Sequence, residues 1–421
     1  MDGCRKGTNL VFLHMSLSSV RMMDTYTRMI RKNFPMEEHR FLYWDPMNDS
    51  DRGLLEYGNS AEITGKGFAR VKQLCEEMDR ADVIIWHGLM FGAKRAFLLL
   101  LLNRYFAKSV WIMRGIDLYN WKILDKGFKS WFVNQINYQL RKRMPYVASI
   151  FPTDEPVYVE QFGTESKLFS LTYPMSESAF DFMEKYWGCK PRPNGKVYIQ
   201  VAHNAYAFNN HMEILEGIKQ FKDEDIRVII PLSYGNNWYN QKNNYGKQVA
   251  DQAEEYFGSK AVSLTQFMPA DKYTELLCNI DISIYGAARQ NGLGNILRSL
   301  YIGNKVYLSN KNPLYHYFKE QNIDIYEMES IPKQSFEEFC KPSDASNAVA
   351  WIRKMHYPDA VMYRWKALFD YFKNGESGAG YEKDLEKQID AILERDFSVT
   401  ASERMTKSDY VDLTEYCAER S

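Results

Sequence analysis

An α/β fold with two parallel sheets in succession is what this chain of 421 residues predicts, and three observations carry the prediction. Short β-rich runs alternate with helical patterns along most of the chain, as they do where crossover helices join parallel strands. The length exceeds what one ordinary core fills, so two domains of roughly 150–200 residues are expected. Between them the stretch Gly188-Cys189-Lys190-Pro191-Arg192-Pro193-Asn194-Gly195 breaks the alternation and reads as a linker.

In the first half, strands are expected near Leu10–His14, His39–Trp44, Val83–Trp86, Val110–Met113 and Val147–Ile150. In the second they are expected at Val197–Ala202, Arg227–Leu232, Val262–Leu264, Asp281–Tyr285 and Lys305–Leu308. The remainder is largely helical, with helical periodicity from Tyr381 to Phe397. The expected division is therefore a Rossmann-like domain over residues 1–188, a second over 196–346, and a helical C-terminal extension over 347–421.

Composition narrows the class. Hydrophobic residues make up 45% and charged residues 25%, the balance of a soluble globular protein, while an aromatic content of 15% is compatible with carbohydrate contact. The six cysteines are scattered, with no C-x-x-C pair and no histidine at zinc spacing, so reduced thiols, a cytoplasmic setting and no metal site are expected. No secretory-type apolar region precedes the first strand. The longest apolar run, Ala96 to Leu102, falls far short of the roughly 18–20 residues of a membrane span.

Charge is distributed unevenly. The net charge is −1, yet the segment from Lys94 to Arg143 carries +9 and the rest of the chain −10. Within it Trp131, Phe132, Ile136, Tyr138 and Leu140 interleave with Lys129 and the cluster Arg141-Lys142-Arg143. That is the composition of a helix at an anionic membrane surface, the alternative being a solvated basic face on a core helix. Nucleic acid is not the expected partner.

The most informative stretch runs from Ala288 to Leu308. Two strand patterns flank a helix, and Arg289, Gln290, Asn291, Gly292, Leu293, Gly294 and Asn295 form the turn at its start. Glycines let backbone N–H groups approach a ligand, a helix N-terminus favours anions, and a guanidinium fork matches phosphate oxygens. The plainer alternative is a packing turn. Two further strand ends lead into polar loops: Asn204, Asn209 and His211 follow Val197–Ala202, and Tyr234 with Gly235 follows Arg227–Leu232. Amide, hydroxyl and aromatic groups of this kind hold a sugar or nucleobase, although a lone Asn is more often a cap or turn residue.

These residues carry a resemblance. VAHNAYAFNNHMEIL, IIPLSYGNNWY and above all ARQNGLGNILRSLYIGNKVYLSNKNPLY resemble the second domain of the TDP-N-acetylfucosamine:lipid II N-acetylfucosaminyltransferase family, glycosyltransferase family 56. HGLMFG and WIMRGIDLYNW are similar to segments of that family's first domain, so the likeness spans roughly Leu10 to Tyr317. It implies a GT-B glycosyltransferase: two Rossmann-like domains facing a cleft, with the TDP-sugar donor on the second and a polyprenyl-diphosphate-linked saccharide acceptor on the first. No cofactor is implied, and the enzyme is expected to lie peripherally on the cytoplasmic face of the inner membrane. Two departures stand out: Ala202-His203-Asn204 replaces a small G-N-S turn, and Arg114 stands where the family often has tryptophan, which bears on the acceptor.

Without a metal, the leaving diphosphate needs the turn and Arg289. A base is then expected from the first domain, where His14, His87 and Asp117 follow strands. For the histidines the alternative is a buried structural imidazole, and for Asp117 a helix cap. A nicotinamide-dependent oxidoreductase would share the architecture, but no G-x-G-x-x-G follows the first strand. A non-catalytic sugar-nucleotide-binding scaffold is the third reading.

Overall fold

The computed structural model describes residues 10–16, 21–45, 49–56, 58–119, 121–122, 127–175, 177–187, 195–234, 244–375, 387–391, 407, 413 and 416–417. The chain forms two compact units: Met1–Met175 together with Lys354–Arg395, and Ser176–Arg353 together with Asp396–Ser421.

In the first unit seven parallel strands are ordered β3-β2-β1-β4-β5-β6-β7. They are β1 Phe12–Ser16, β2 His39–Tyr43, β3 Ser60–Glu62, β4 Val83–Trp86, β5 Ser109–Ile112, β6 Tyr146–Ser149 and β7 Lys167–Ser170. The central strands β1, β4 and β5 are apolar and buried on both faces, as parallel strands covered by helices must be. Strand alternation divides them between two cores: Leu13, Ile84, Trp86 and Trp111 enter one, and Phe12, Phe41, Ile85 and Val110 the other.

The second unit holds a six-stranded sheet of order β10-β9-β8-β11-β12-β13. Its strands are β8 Val197–Val201, β9 Ile226–Pro231, β10 Ala261–Leu264, β11 Ile282–Tyr285, β12 Lys305–Leu308 and β13 Tyr326–Glu327. Strand order reverses between β8 and β11, and in an open parallel sheet the carboxyl ends at such a reversal form the ligand crevice.

Every expected strand is present within two residues at either end, and three edge strands, β3, β7 and β13, are additional. The extra strands are short and none is fully buried, so their side chains carry no apolar signal.

The expected domain limits need correcting. The helix Glu177–Tyr186 belongs to the second unit, where Phe180 packs against Tyr301 and Glu184 accepts from Arg353 Nε at 2.9 Å. Most of the expected linker, residues 188–194, lies outside the described residues. Nor does the chain after 347 stand as a separate extension. The helix Pro358–Asn374 closes the second core of the first unit with Trp365, Leu368 and Phe369, and Trp365 Nε1 donates to Thr172 O at 2.8 Å. Of the periodic stretch Tyr381 to Phe397, residues 387–391 are described, and they are helical.

Candidate active site

At the β8–β11 reversal the chain builds one polar constellation from three loops. β8 passes into Ala202, which has φ +55°, a left-handed conformation that costs a residue with a Cβ about 1 kcal/mol. Ala202 stands where glycine is expected from the family pattern, so the backbone keeps the glycine geometry without glycine. Asn204 Oδ1 then accepts from Tyr206 N at 3.1 Å and from Asn209 Nδ2 at 2.7 Å, while Asn209 Oδ1 accepts from Asn291 Nδ2 at 3.0 Å. Ala205 N donates to Tyr234 O at 2.8 Å, joining the loop after β9 to the same net.

The glycine turn is held from both sides. Asn312 Nδ2 donates to Ala287 O at 2.9 Å and to Arg289 O at 3.0 Å. Gly292, at φ +69°, opens the helix Leu293–Ile302, and no side chain caps that terminus. A Cβ on Gly292 would lie 2.5 Å from Cε1 of His203, so its glycine is needed for both φ and space. Gly294 is exposed and a Cβ there would meet no atom within 4 Å, leaving the backbone open to a ligand. Arg289 is half-buried with its guanidinium 4.4 Å from the centroid of Phe208, a cation–π placement that holds it beside the turn.

The donor-side expectations therefore divide. Arg289, Gln290, Gly292, Gly294, Asn295 and Tyr234 come together around the turn. Asn204 and Asn209 are buried and brace the turn, and His211 is buried beside Tyr245. Gly235 lies outside the described residues. His203 and Asn291, already named in the loop and the turn, join this net, whereas Arg298 was not singled out. For Arg298 the available signal was its position three residues after Asn295, on the same helix face.

In the first unit the strand ends place His14, His87, Arg114 and Asp117. His14 Nε2 meets His39 Nδ1 at 3.0 Å, and His14 Nδ1 meets His87 Nε2 at 3.2 Å. His87 Nδ1 is hydrogen-bonded to the Tyr173 hydroxyl. All three imidazoles are buried, and burial lowers their pKa values, His39 to about 3 and the other two well below the ordinary value. His14 and His87 are thereby corrected from bases to core residues: His14 stacks on Phe41, and both ring nitrogens of each imidazole are engaged.

Asp117 is corrected as well. Its Oδ2 accepts from Leu89 N at 2.7 Å and Trp111 Nε1 at 2.8 Å, and its Oδ1 from Arg114 N at 2.8 Å. A carboxylate so saturated ties the β4 and β5 loops together. Arg114 lies over Tyr173 and against Gly88, at the mouth of the same strand ends.

The basic helix is Phe128–Lys142, and Arg141 in it is only 2% exposed. Its guanidinium donates to Asp117 O and Leu89 O, both at 2.9 Å, and to Asn137 O at 3.1 Å. It is a buried strut, which removes it from any surface contact. Arg143 and Trp131 are exposed and Lys142 half-buried.

A cavity of about 540 Å³ lies at the opposite, amino ends of the second sheet, lined by Lys196, Asp281, Lys305 and Cys340 among others. Lys305 there donates to Glu338 O at 2.6 Å.

A family model described as 4-alpha-L-fucosyltransferase glycosyl transferase group 56 matches residues 65–341. The chain belongs to this family. The match includes the glycine turn, the β8 and β9 loops, His87 and Arg114, and begins after His14.

Solved structures agree on the architecture of this glycosyltransferase. Anabaena Alr3699/HepE in complex with UDP-glucose superposes with a TM-score of 0.61 at 11% identity, covering 86% of this chain and 100% of its own. A Rickettsia africae glycosyltransferase gives 0.56 at 12% identity over 93% and 100%. WaaG, a glycosyltransferase involved in lipopolysaccharide biosynthesis, gives 0.51 at 10% over 87% and 100%. At such identities the likeness carries the fold, which is GT-B.

Proposed function

We propose that this glycosyltransferase moves a TDP-linked sugar, of the 4-acetamido-4,6-dideoxy-galactose type, onto a saccharide carried by polyprenyl diphosphate during surface polysaccharide assembly. The observation that carries the reading is the uncapped glycine turn at the β8–β11 reversal, with Arg289 held beside it. Transfer breaks the bond between the anomeric carbon and the diphosphate oxygen, and the electron pair stays on that oxygen. Helix N-terminal N–H groups and a guanidinium stabilise the charge that develops there. The acceptor hydroxyl forms the new bond and its proton passes to a base, a role for which His87 is no better placed than His14, since it too is buried with both ring nitrogens engaged. The family's fucosyl description and the UDP-glucose held by the Anabaena protein both support a nucleotide-sugar donor.

The acceptor's lipid places the reaction at a membrane. The helices Ala93–Leu101 and Phe128–Lys142 pack together and expose Phe97, Leu101, Phe128, Trp131 and Phe132, with Lys129 among them. We assign this face to the anionic inner leaflet. Among the described residues no helix is long and apolar enough to cross a membrane. The test of the whole reading is transfer from TDP-, UDP- and GDP-sugars to a polyprenyl-diphosphate saccharide. Product from the TDP-sugar alone is expected, and exclusive use of a UDP- or GDP-sugar would refute the donor assignment.

A further inference from the structure

Arg298 sits in the second turn of the helix Leu293–Ile302, behind the glycine turn, and it is a largely, not wholly, buried cation with little to hold it. Its Nε is fully enclosed and has no hydrogen-bond partner. Its one hydrogen bond among the described residues is a long contact from Nη1 to Asn295 Oδ1 at 3.5 Å. The charged or titratable groups around it are the phenols of Tyr234, Tyr273 and Tyr285, all neutral at physiological pH. No carboxylate pairs with it among the described residues.

A protein normally buries an arginine only with a carboxylate or with its donors filled by carbonyls. Arg141 in the first unit shows the second solution, with three backbone carbonyls around it. Arg298 has neither. At the turn itself His203, 4% exposed, also keeps a buried Nδ1 without a partner while its ring lies against Gly292. Unmet donors therefore collect at the turn already assigned to the leaving group.

We propose that Arg298 is a second anion-binding residue of the donor site, whose guanidinium takes a phosphate oxygen of the nucleoside diphosphate in addition to Arg289. The inference rests on the donor reading above, but it specifies a residue and a chemical class: an anion of the diphosphate type, whatever the base attached to it. The site would be electrostatically incomplete until that anion arrives. Burial lowers the guanidinium's pKa, yet arginine stays protonated, so the charge is a standing cost in the empty protein.

That cost makes the proposal testable by two quantities that move in opposite directions. Arg298→Met removes an unpaired buried charge and keeps an apolar stem of similar length. The melting temperature of the ligand-free variant is expected to stay level or rise, and its affinity for TDP to fall on the order of ten- to hundred-fold, the range of a lost hydrogen bond to a charged group. Thymidine, which has no phosphate, should lose no affinity. Calorimetric titration of wild type, Arg298→Met and Arg298→Lys with thymidine, TMP, TDP, UDP and GDP reads this directly.

A lower melting temperature with unchanged TDP affinity would overturn the proposal and make Arg298 a structural residue. Equal losses for thymidine and TDP would overturn it too, since the contact would then be to the base or sugar. If wild type prefers UDP or GDP and Arg298→Met loses that ligand, the anion role stands and the TDP assignment falls. Absence of binding by wild type to every diphosphate would refute both.

Discussion

Two arginines with contrasting surroundings define what single residues do in this protein. Arg289 stands at the surface of the turn over Phe208, where removal leaves no hole in the core. Arg289→Ala is expected to fold normally and to lose roughly 2–4 kcal/mol of transition-state stabilisation, by analogy with lost oxyanion donors, or about two to three decades of turnover. Steady-state kinetics, with circular dichroism as the folding control, checks this; near-wild-type turnover would move the leaving-group site elsewhere. Arg141 is the opposite case, because its guanidinium holds the Leu89 and Asp117 carbonyls of two strand-end loops. Arg141→Gln should cost about 2–4 kcal/mol of stability by leaving buried carbonyls unpaired. It should do so without changing intrinsic lipid preference. Normal stability with reduced vesicle binding would restore the surface role that its sequence neighbourhood suggests.

At the scale of elements, the turn before Leu293 separates two glycines by function. Gly292→Ala adds a Cβ into the His203 ring at a positive φ and is expected to destabilise the second unit. Gly294→Val adds its side chain to open space, so stability should hold while donor affinity falls. Thermal melts and nucleotide titrations of the pair distinguish these outcomes. If both variants lose stability and keep affinity, the turn is packing alone.

The exposed helix pair makes its own prediction. Replacing Phe128 and Trp131 by Ser should abolish flotation with anionic liposomes, since partitioning scales with the apolar area inserted. Flotation equal to wild type would place lipid contact on another face.

The elements themselves were largely legible. Buried parallel strands such as VIIW announce themselves by continuous apolar runs, and the turn by its glycines. Side-chain destinations were not legible. Arg141-Lys142-Arg143 looks uniform in sequence, yet helical geometry turns the first inward and the third outward. His14 and His87 follow strands as catalytic residues do, but which histidine meets which depends on β1 lying between β2 and β4. Partner identity across a parallel sheet is set by topology, which local sequence does not encode.

For the molecule as a whole, six of its seven histidines are buried. Burial lowers the pKa values of His39, His203 and His356 to about 3 and of His211 to about 4, with His14 and His87 also well below the ordinary value. A histidine whose folded pKa is depressed contributes stability that is complete above its unfolded value, about 6.5, and is lost as pH falls toward the folded one. Each contributes on the order of 1 kcal/mol of this loss by about pH 5.5. Asp154 works in the other direction: burial raises its pKa to about 7, so its contribution is present at low pH and declines as pH rises through that value. The histidines outnumber it, and calorimetry should show the melting temperature falling steeply between about pH 6.5 and pH 5. A level profile over that interval would mean that the imidazoles become hydrated before the chain unfolds.

The return of Pro358–Asn374 to the first unit also has a consequence in time. Trp365, Leu368 and Phe369 complete a core whose strands lie near the beginning of the chain. A ribosome adds roughly 5–20 residues each second. The nascent first sheet therefore waits on the order of 10–40 s, with Phe12, Phe41 and Val110 lacking that cover, while Ser176–Arg353 of the second unit is synthesised. The amino-terminal half of this enzyme thus cannot complete its core until that helix emerges, and during that interval it is the natural client of a chaperone that binds aromatic strands.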